Sequence, residues 1–187
     1  MKENASHRER APAPSDEEAY RLASVLVTLG EGKAAVDLMR RIVNTARCSL
    51  PTSSPSLLRV LSEYAGILES TDGLAEAEFV RAEVLEIALS AQMTKQDAVE
   101  ALLRYGLLLC KMHNYDGAIA RLKEAVRRVE ELDGMVALHQ EIILAQAWRS
   151  LAQAYEALGE FSQASNALDV LMTVKRQIRF LVFSVVS

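Results

Sequence analysis

The chain has 187 residues, half of them hydrophobic and a quarter charged, which is enough for one domain with a sizeable core. Its formal charge of -4 argues against general nucleic-acid binding, which needs a basic stripe to neutralise phosphates. Four prolines and eight glycines are few for this length, so long helices with few breaks are expected.

Residues 1–14 are polar, carry Pro12 and Pro14, and read as a disordered leader with no signal peptide. The repeat domain is expected over 15–179. Ser15 to Glu18 offers an N-cap and a Glu three residues on, and Leu22, Val25, Leu26 and Leu29 follow at helical spacing. Gly30 and Gly32 stop that helix. A second runs from about Lys33 to Arg47. After a Ser- and Pro-rich loop, Ser54-Pro55 starts a third, which Asp72-Gly73 ends. A fourth covers Leu74 to about Ala91.

Thr94 with Asp97 resembles a capping box for a fifth helix, Lys95 to Met112. His113-Asn114 is a turn, and a sixth helix runs from Tyr115 to about Leu132, closed by Asp133-Gly134. A seventh covers roughly Val136 to Leu158, Gly159 ends it, and the eighth starts near Phe161 and continues toward Phe180. Short turns between long helices force antiparallel neighbours. No segment alternates with period two, so no sheet is expected.

The helix pairs repeat one another. Ala35, Ala77, Ala118 and Ala164 stand at one relative place in the second helices, 42, 41 and 46 residues apart. A small residue stands twelve positions earlier in each first helix: Ala23, Ala65, Gly106 and Ala152. Small facing small lets two helices approach closely where a larger side chain would hold them apart. Large residues flank the contact: Leu22, Tyr64, Tyr105 and Leu151 just before it, and Leu26, Leu68, Leu109 and Tyr155 three after it.

Trp148, Leu151, Ala152, Tyr155, Gly159, Phe161 and Ala164 of the last pair, and Leu102, Tyr105, Gly106, Leu109, Tyr115 and Ala118 of the third, carry a pattern that resembles the tetratricopeptide repeat (TPR), whose usual unit is about 34 residues. A period near 42 resembles the long-hairpin repeats of kinesin light chains. The resemblance implies an all-α, right-handed α-solenoid of about four antiparallel hairpins, with the first helices lining a concave face. It implies a protein-interaction scaffold or adaptor that holds a peptide or helix of a partner protein there, without catalysis.

Carried over by position, the groove candidates are Tyr20, Ser24 and Val27 in repeat one, and Arg59, Ser62, Gly66 and Glu69 in repeat two. Repeat three offers Glu100, Leu103, Leu107, Cys110 and Lys111; repeat four offers Gln146, Arg149, Gln153 and Glu156. Leu103 and Leu107 centre an apolar groove on repeat three. With only Arg59, Lys111 and Arg149 basic, the set lacks the Lys, Asn and Arg cluster of a carboxylate clamp.

No phosphate-cradling Gly loop, nucleophile elbow or metal-ligand spacing is present, so no cofactor, metal or enzyme chemistry is expected. Cys48 and Cys110 make no disulfide framework; a buried Cys110 and a reducing, cytosolic compartment are expected. No apolar run is long enough to span a bilayer. The segment 180–187 reads as an apolar tail where solenoids usually carry a polar cap. Its alternative readings are an improvised cap, a cut from a longer chain, or a contact by which the chain inserts into a partner or, as a structural subunit, self-associates by its ends.

Overall fold

The structure, a computed structural model, describes residues 16–90, 93–132 and 137–186, with side chains over 17–90, 93–132 and 137–182. The expected leader, the Ser15 cap and the Asp133-Gly134 stop lie outside the described residues. Eight helices occupy the described residues: α1 (Asp16–Thr28), α2 (Gly32–Ser49), α3 (Pro55–Ser70), α4 (Leu74–Ala88), α5 (Lys95–Lys111), α6 (Tyr115–Glu130), α7 (Ala137–Ala157) and α8 (Phe161–Val186). There is no strand among those residues.

Local chemistry sets the helix starts. The Ser54 hydroxyl accepts the Leu57 N–H at 3.1 Å, with Pro55 in the first turn, where it lacks no needed donor. Thr94 and Asp97 form both bonds of the capping box, 3.1 and 2.9 Å. The Asn114 side-chain oxygen accepts the Gly117 N–H at 3.1 Å at the head of α6.

The turns inside the pairs share one geometry. Gly30, Asp72, His113 and Gly159 each stand seven residues after the small residue of the first helix, and all four have positive φ, from 58° to 82°. The next residue's N–H reaches back to a carbonyl five residues earlier: Glu31 to Leu26, Gly73 to Leu68, Asn114 to Leu109 and Glu160 to Tyr155, at 2.8–2.9 Å. This left-handed stop satisfies last-turn carbonyls and aims the chain back along itself. Asp72 and His113 hold the conformation without being glycine, at some steric cost.

Successive helices pack in chain order, α1 on α2 through α7 on α8, and α1 also lies along α3 and α5 along α7. All eight small residues at the crossings are buried. At Gly106 an added Cβ would stand 2.7 Å from Leu122 Cγ, so this crossing has no room for a methyl. One continuous core runs along the stack, with Met39, Leu61, Leu68, Leu102, Leu122 and Leu151 among its fully buried members.

Two expectations change. Leu22 was placed in a filled layer but is 47% exposed, because among the described helices α1 packs on α2 and α3 alone. The last helix does not give way to a separate tail: α8 runs on to Val186. None of the helices is long and apolar enough to cross a membrane, over the described residues.

Candidate functional site

Among the described residues the stack opens between α3 and α5. α1 lies along α3 and α5 along α7, whereas α3 and α5 barely touch. The wedge between them is a cleft of about 560 Å³, floored by α4. From α3 come Leu58, Arg59, Ser62 and Gly66, from α4 Arg81 and Val84, and from α5 Glu100, Ala101 and Arg104. Leu58, Val84 and Ala101 form an apolar floor, and Arg59, Glu63, Asp97, Glu100 and Arg104 make a rim of both charge signs.

Several rim groups are held in place. The Arg104 Nε donates to Glu100 at 2.7 Å, one helical turn earlier. Asp97 is fixed by its capping box. The Arg59 guanidinium lies 5.9 Å from the centre of the Tyr20 ring, which ties α3 to α1. Beneath them Arg81 is only 5% exposed; its Nε donates to one oxygen of Glu69 at 2.8 Å, and its Nη2 stands 2.7 Å from the same oxygen. Lys111 stands 3.9 Å from the other oxygen of that carboxylate. Arg81 replaces an apolar residue: the same register carries Met39 in α2, Leu122 in α6 and Leu168 in α8.

Arg59, Ser62, Gly66 and Glu100 therefore meet at one cleft, with Glu69 and Lys111 behind its floor. The remaining candidates do not join it. Leu103 is 1% exposed and belongs to the core, so it lines no groove; the expectation of an apolar groove centred on it is corrected. Leu107 is half-buried against the same core. The cause is the packing of α5 along α7, which closes the face where the groove was expected. Cys110 lies there, with its sulfur 3.9 Å from the Ser150 carbonyl, and burial pushes its thiol pKa up. Arg149, Gln153 and Glu156 are exposed on α7, outside the cleft. Tyr20 and Val27 are half-buried and Ser24 is exposed on α1.

Sequence reasoning missed Glu63, Asp97, Arg104 and, above all, Arg81. The signal for Arg81 was present: an arginine at a register that is apolar in the three other repeats. The second cross-pair network lies outside the cleft. The Tyr64 hydroxyl donates to Glu76, whose other oxygen accepts from Arg40 at 3.0 Å. Seven residues further along the same two helices, Arg47 reaches Glu83 at 2.5 Å. These rungs lash α2 to α4. Among the described residues there is no cluster of His, Cys, Asp and Glu able to hold a metal ion.

No family model and no curated protein matches the chain. Solved structures do. BtubC (BKLC) from P. vanneervenii aligns with a TM-score of 0.73 at 17% identity, over 87% of this chain and 64% of that one. The Podospora anserina putative kinesin light chain with nearly identical TPR-like repeats gives a TM-score of 0.57 at 15% identity, over 86% of this chain and 95% of its own. The fold is that of the TPR-like helical-repeat solenoids. A Rap protein complexed with competence and sporulation factor shares this TPR-like fold with a TM-score of 0.54 and 16% identity, over 86% of this chain. The chain spans 64% of BtubC and 52% of the Rap protein. At such identities the likeness speaks to the fold.

Proposed function

We propose that this TPR-like chain is a protein-interaction scaffold that holds an extended peptide or a helix of a partner protein in the cleft between α3 and α5. The observation that carries this reading is the splay of α3 from α5, which leaves about 560 Å³ open at a junction whose floor carries a buried charge pair. An apolar floor inside a rim of both signs suits a segment with an apolar anchor flanked by charged residues. The rim's acids and bases select the order of those charges more than they add affinity. The Rap protein of the same fold, held with competence and sporulation factor, is consistent with a ligand-holding solenoid. The cleft has the concavity and polar anchoring of a binding site; nothing in its residues forms a nucleophile–base pair.

The test uses the full chain as bait against lysate of its source, with quantitative mass spectrometry. Arg59→Glu combined with Arg104→Glu is compared with Arg149→Glu, which lies outside the cleft. Partners lost with the first variant and kept with the second support the reading, provided a synthetic segment of such a partner binds the purified chain and competes. Equal recovery with both variants, at unchanged helicity, overturns it.

A further inference from the structure

We propose that the cleft is a jaw: α3 and α5 swing together about the Glu69–Lys111 contact and clasp through Arg59 with Glu100 and Glu63 with Arg104. Both helices pack along α4, and short connections before and after α4 turn the chain back each time, so α3 and α5 run the same way. Ala65 and Gly106 mark the same place in the two. Glu69 stands four residues after the first mark and Lys111 five after the second, and they meet at 3.9 Å. Like positions of α3 and α5 therefore lie side by side.

The cleft covers the earlier turns of both helices, ending at Gly66 and Arg104, and the Glu69–Lys111 contact lies beyond its end. The wedge is held at that end and open at the other. Six residues before the two marks stand Arg59 and Glu100; two before them stand Glu63 and Arg104. All four line the cleft, and each place carries opposite charges on the two walls. In the open form these charges do not meet. Arg104 turns back on Glu100 within its own helix at 2.7 Å, both partners being well exposed. Arg59 lies over the Tyr20 ring, and exposed Glu63 has no cation among the described residues. Closing exchanges one ion pair inside a helix for two between helices.

Gly66 has no purpose in the open form. It sits inside α3, where glycine weakens a helix, yet a Cβ added there would meet nothing within 4 Å. The same place in α5 holds Leu107. A bare backbone opposite a leucine, between the joint and the clasp, gives α5 room to approach. The neighbouring junctions show the closed arrangement, with α1 along α3 and α5 along α7. Exposed ion pairs contribute little and are screened by salt, so the two forms lie close in energy and ionic strength sets their balance.

Spin labels at the open end test this in the chain without a ligand, so closure stands or falls apart from the peptide reading. Ser56→Cys and Gln96→Cys, both exposed and outside the cleft lining, carry the labels in a Cys48→Ser, Cys110→Ala background. Continuous-wave and pulsed electron spin resonance give the distances, and circular dichroism confirms that every variant folds. At low salt a short-distance population is expected, matching helices packed at roughly 8–10 Å between axes. It shrinks at high salt. Arg59→Glu with Glu63→Arg sets like charges against each other across the cleft and removes it. Adding Glu100→Arg with Arg104→Glu restores it, although the contact with Tyr20 is still absent. A single distance that ignores salt overturns the proposal. So does a fourfold variant that stays open, or an α3 reversal that leaves the short population in place.

Discussion

Arg81 of α4 places two guanidinium nitrogens on a single oxygen of Glu69 in α3, at 2.8 and 2.7 Å, in a register where the neighbouring repeats carry methionine and leucine. The pair is nearly dry, with Arg81 only 5% exposed. A buried ion pair seldom stabilises more than the apolar residues it replaces, because desolvation offsets the attraction. Its persistence under the cleft therefore fits a role in shaping that surface.

Breaking the pair and removing it have different expected outcomes. Glu69→Ala leaves the arginine buried without its carboxylate and costs about 3 to 5 kcal/mol. The double change Arg81→Met with Glu69→Val, the residue types that stand in repeat one, leaves the chain at least as stable as the parent. Urea unfolding followed by circular dichroism measures both. A double variant as unstable as the single one would show that the pair is needed for the fold itself.

Leu103 and Arg59 separate core from cleft. Leu103→Ala removes a fully buried side chain and costs about 2 to 5 kcal/mol. Arg59→Ala removes an exposed cation and its contact with Tyr20 and costs less than about 1 kcal/mol. Thermal unfolding of the two variants decides the assignment. Equal and small losses would return Leu103 to the surface.

Gly106 is held to glycine by Leu122. Alanine gains about 1 kcal/mol of helix propensity but drives a methyl to within 2.7 Å of Leu122 Cγ, and such overpacking costs about 1 to 3 kcal/mol. The net expectation is a loss on the order of 1 kcal/mol. Combining Gly106→Ala with Leu122→Ala costs less than the sum of the two changes, because each relieves the other. Strict additivity in denaturant unfolding would remove the steric explanation.

Tyr64 makes stability fall in alkali. Burial first, and then its hydrogen bond to the Glu76 carboxylate, push its hydroxyl from the usual 10.0 up to about 12. The unfolded chain ionises this group near 10, while the folded chain keeps it protonated. The contribution to stability is therefore complete below pH 10 and is lost between pH 10 and about 12. Tyr64→Phe flattens the alkaline slope and removes a late step from the tyrosinate absorbance titration. A titration without that step in the parent protein would contradict the geometry.

Glu124 acts in the opposite direction. Hydrogen bonds from Arg127 and then Arg128 lower its carboxyl from 4.5 to about 2. Its contribution is present above pH 4.5 and disappears as the pH falls toward 2. Carbon-detected NMR titration reads the carboxyl directly, and Arg127→Gln combined with Arg128→Gln returns it toward 4.5.

The helices, their caps and their turns were legible in the chain because each depends on residues close in sequence. Ser54, Thr94 and Asn114 satisfy backbone groups three residues away, and the turn at His113 repeats the register of Gly30. The small-on-small crossings were legible too, because Ala23 with Ala35 and Gly106 with Ala118 recur at one spacing. Helical periodicity says which side of a helix is apolar, but not whether another helix lies against it. That depended on how far neighbouring pairs tilt, which is the summed result of packing across every junction. Tertiary structure alone closed α5 on α7 over Leu103, opened α3 from α5 above Arg81, and left Leu22, Val25, Leu168 and Met172 half exposed.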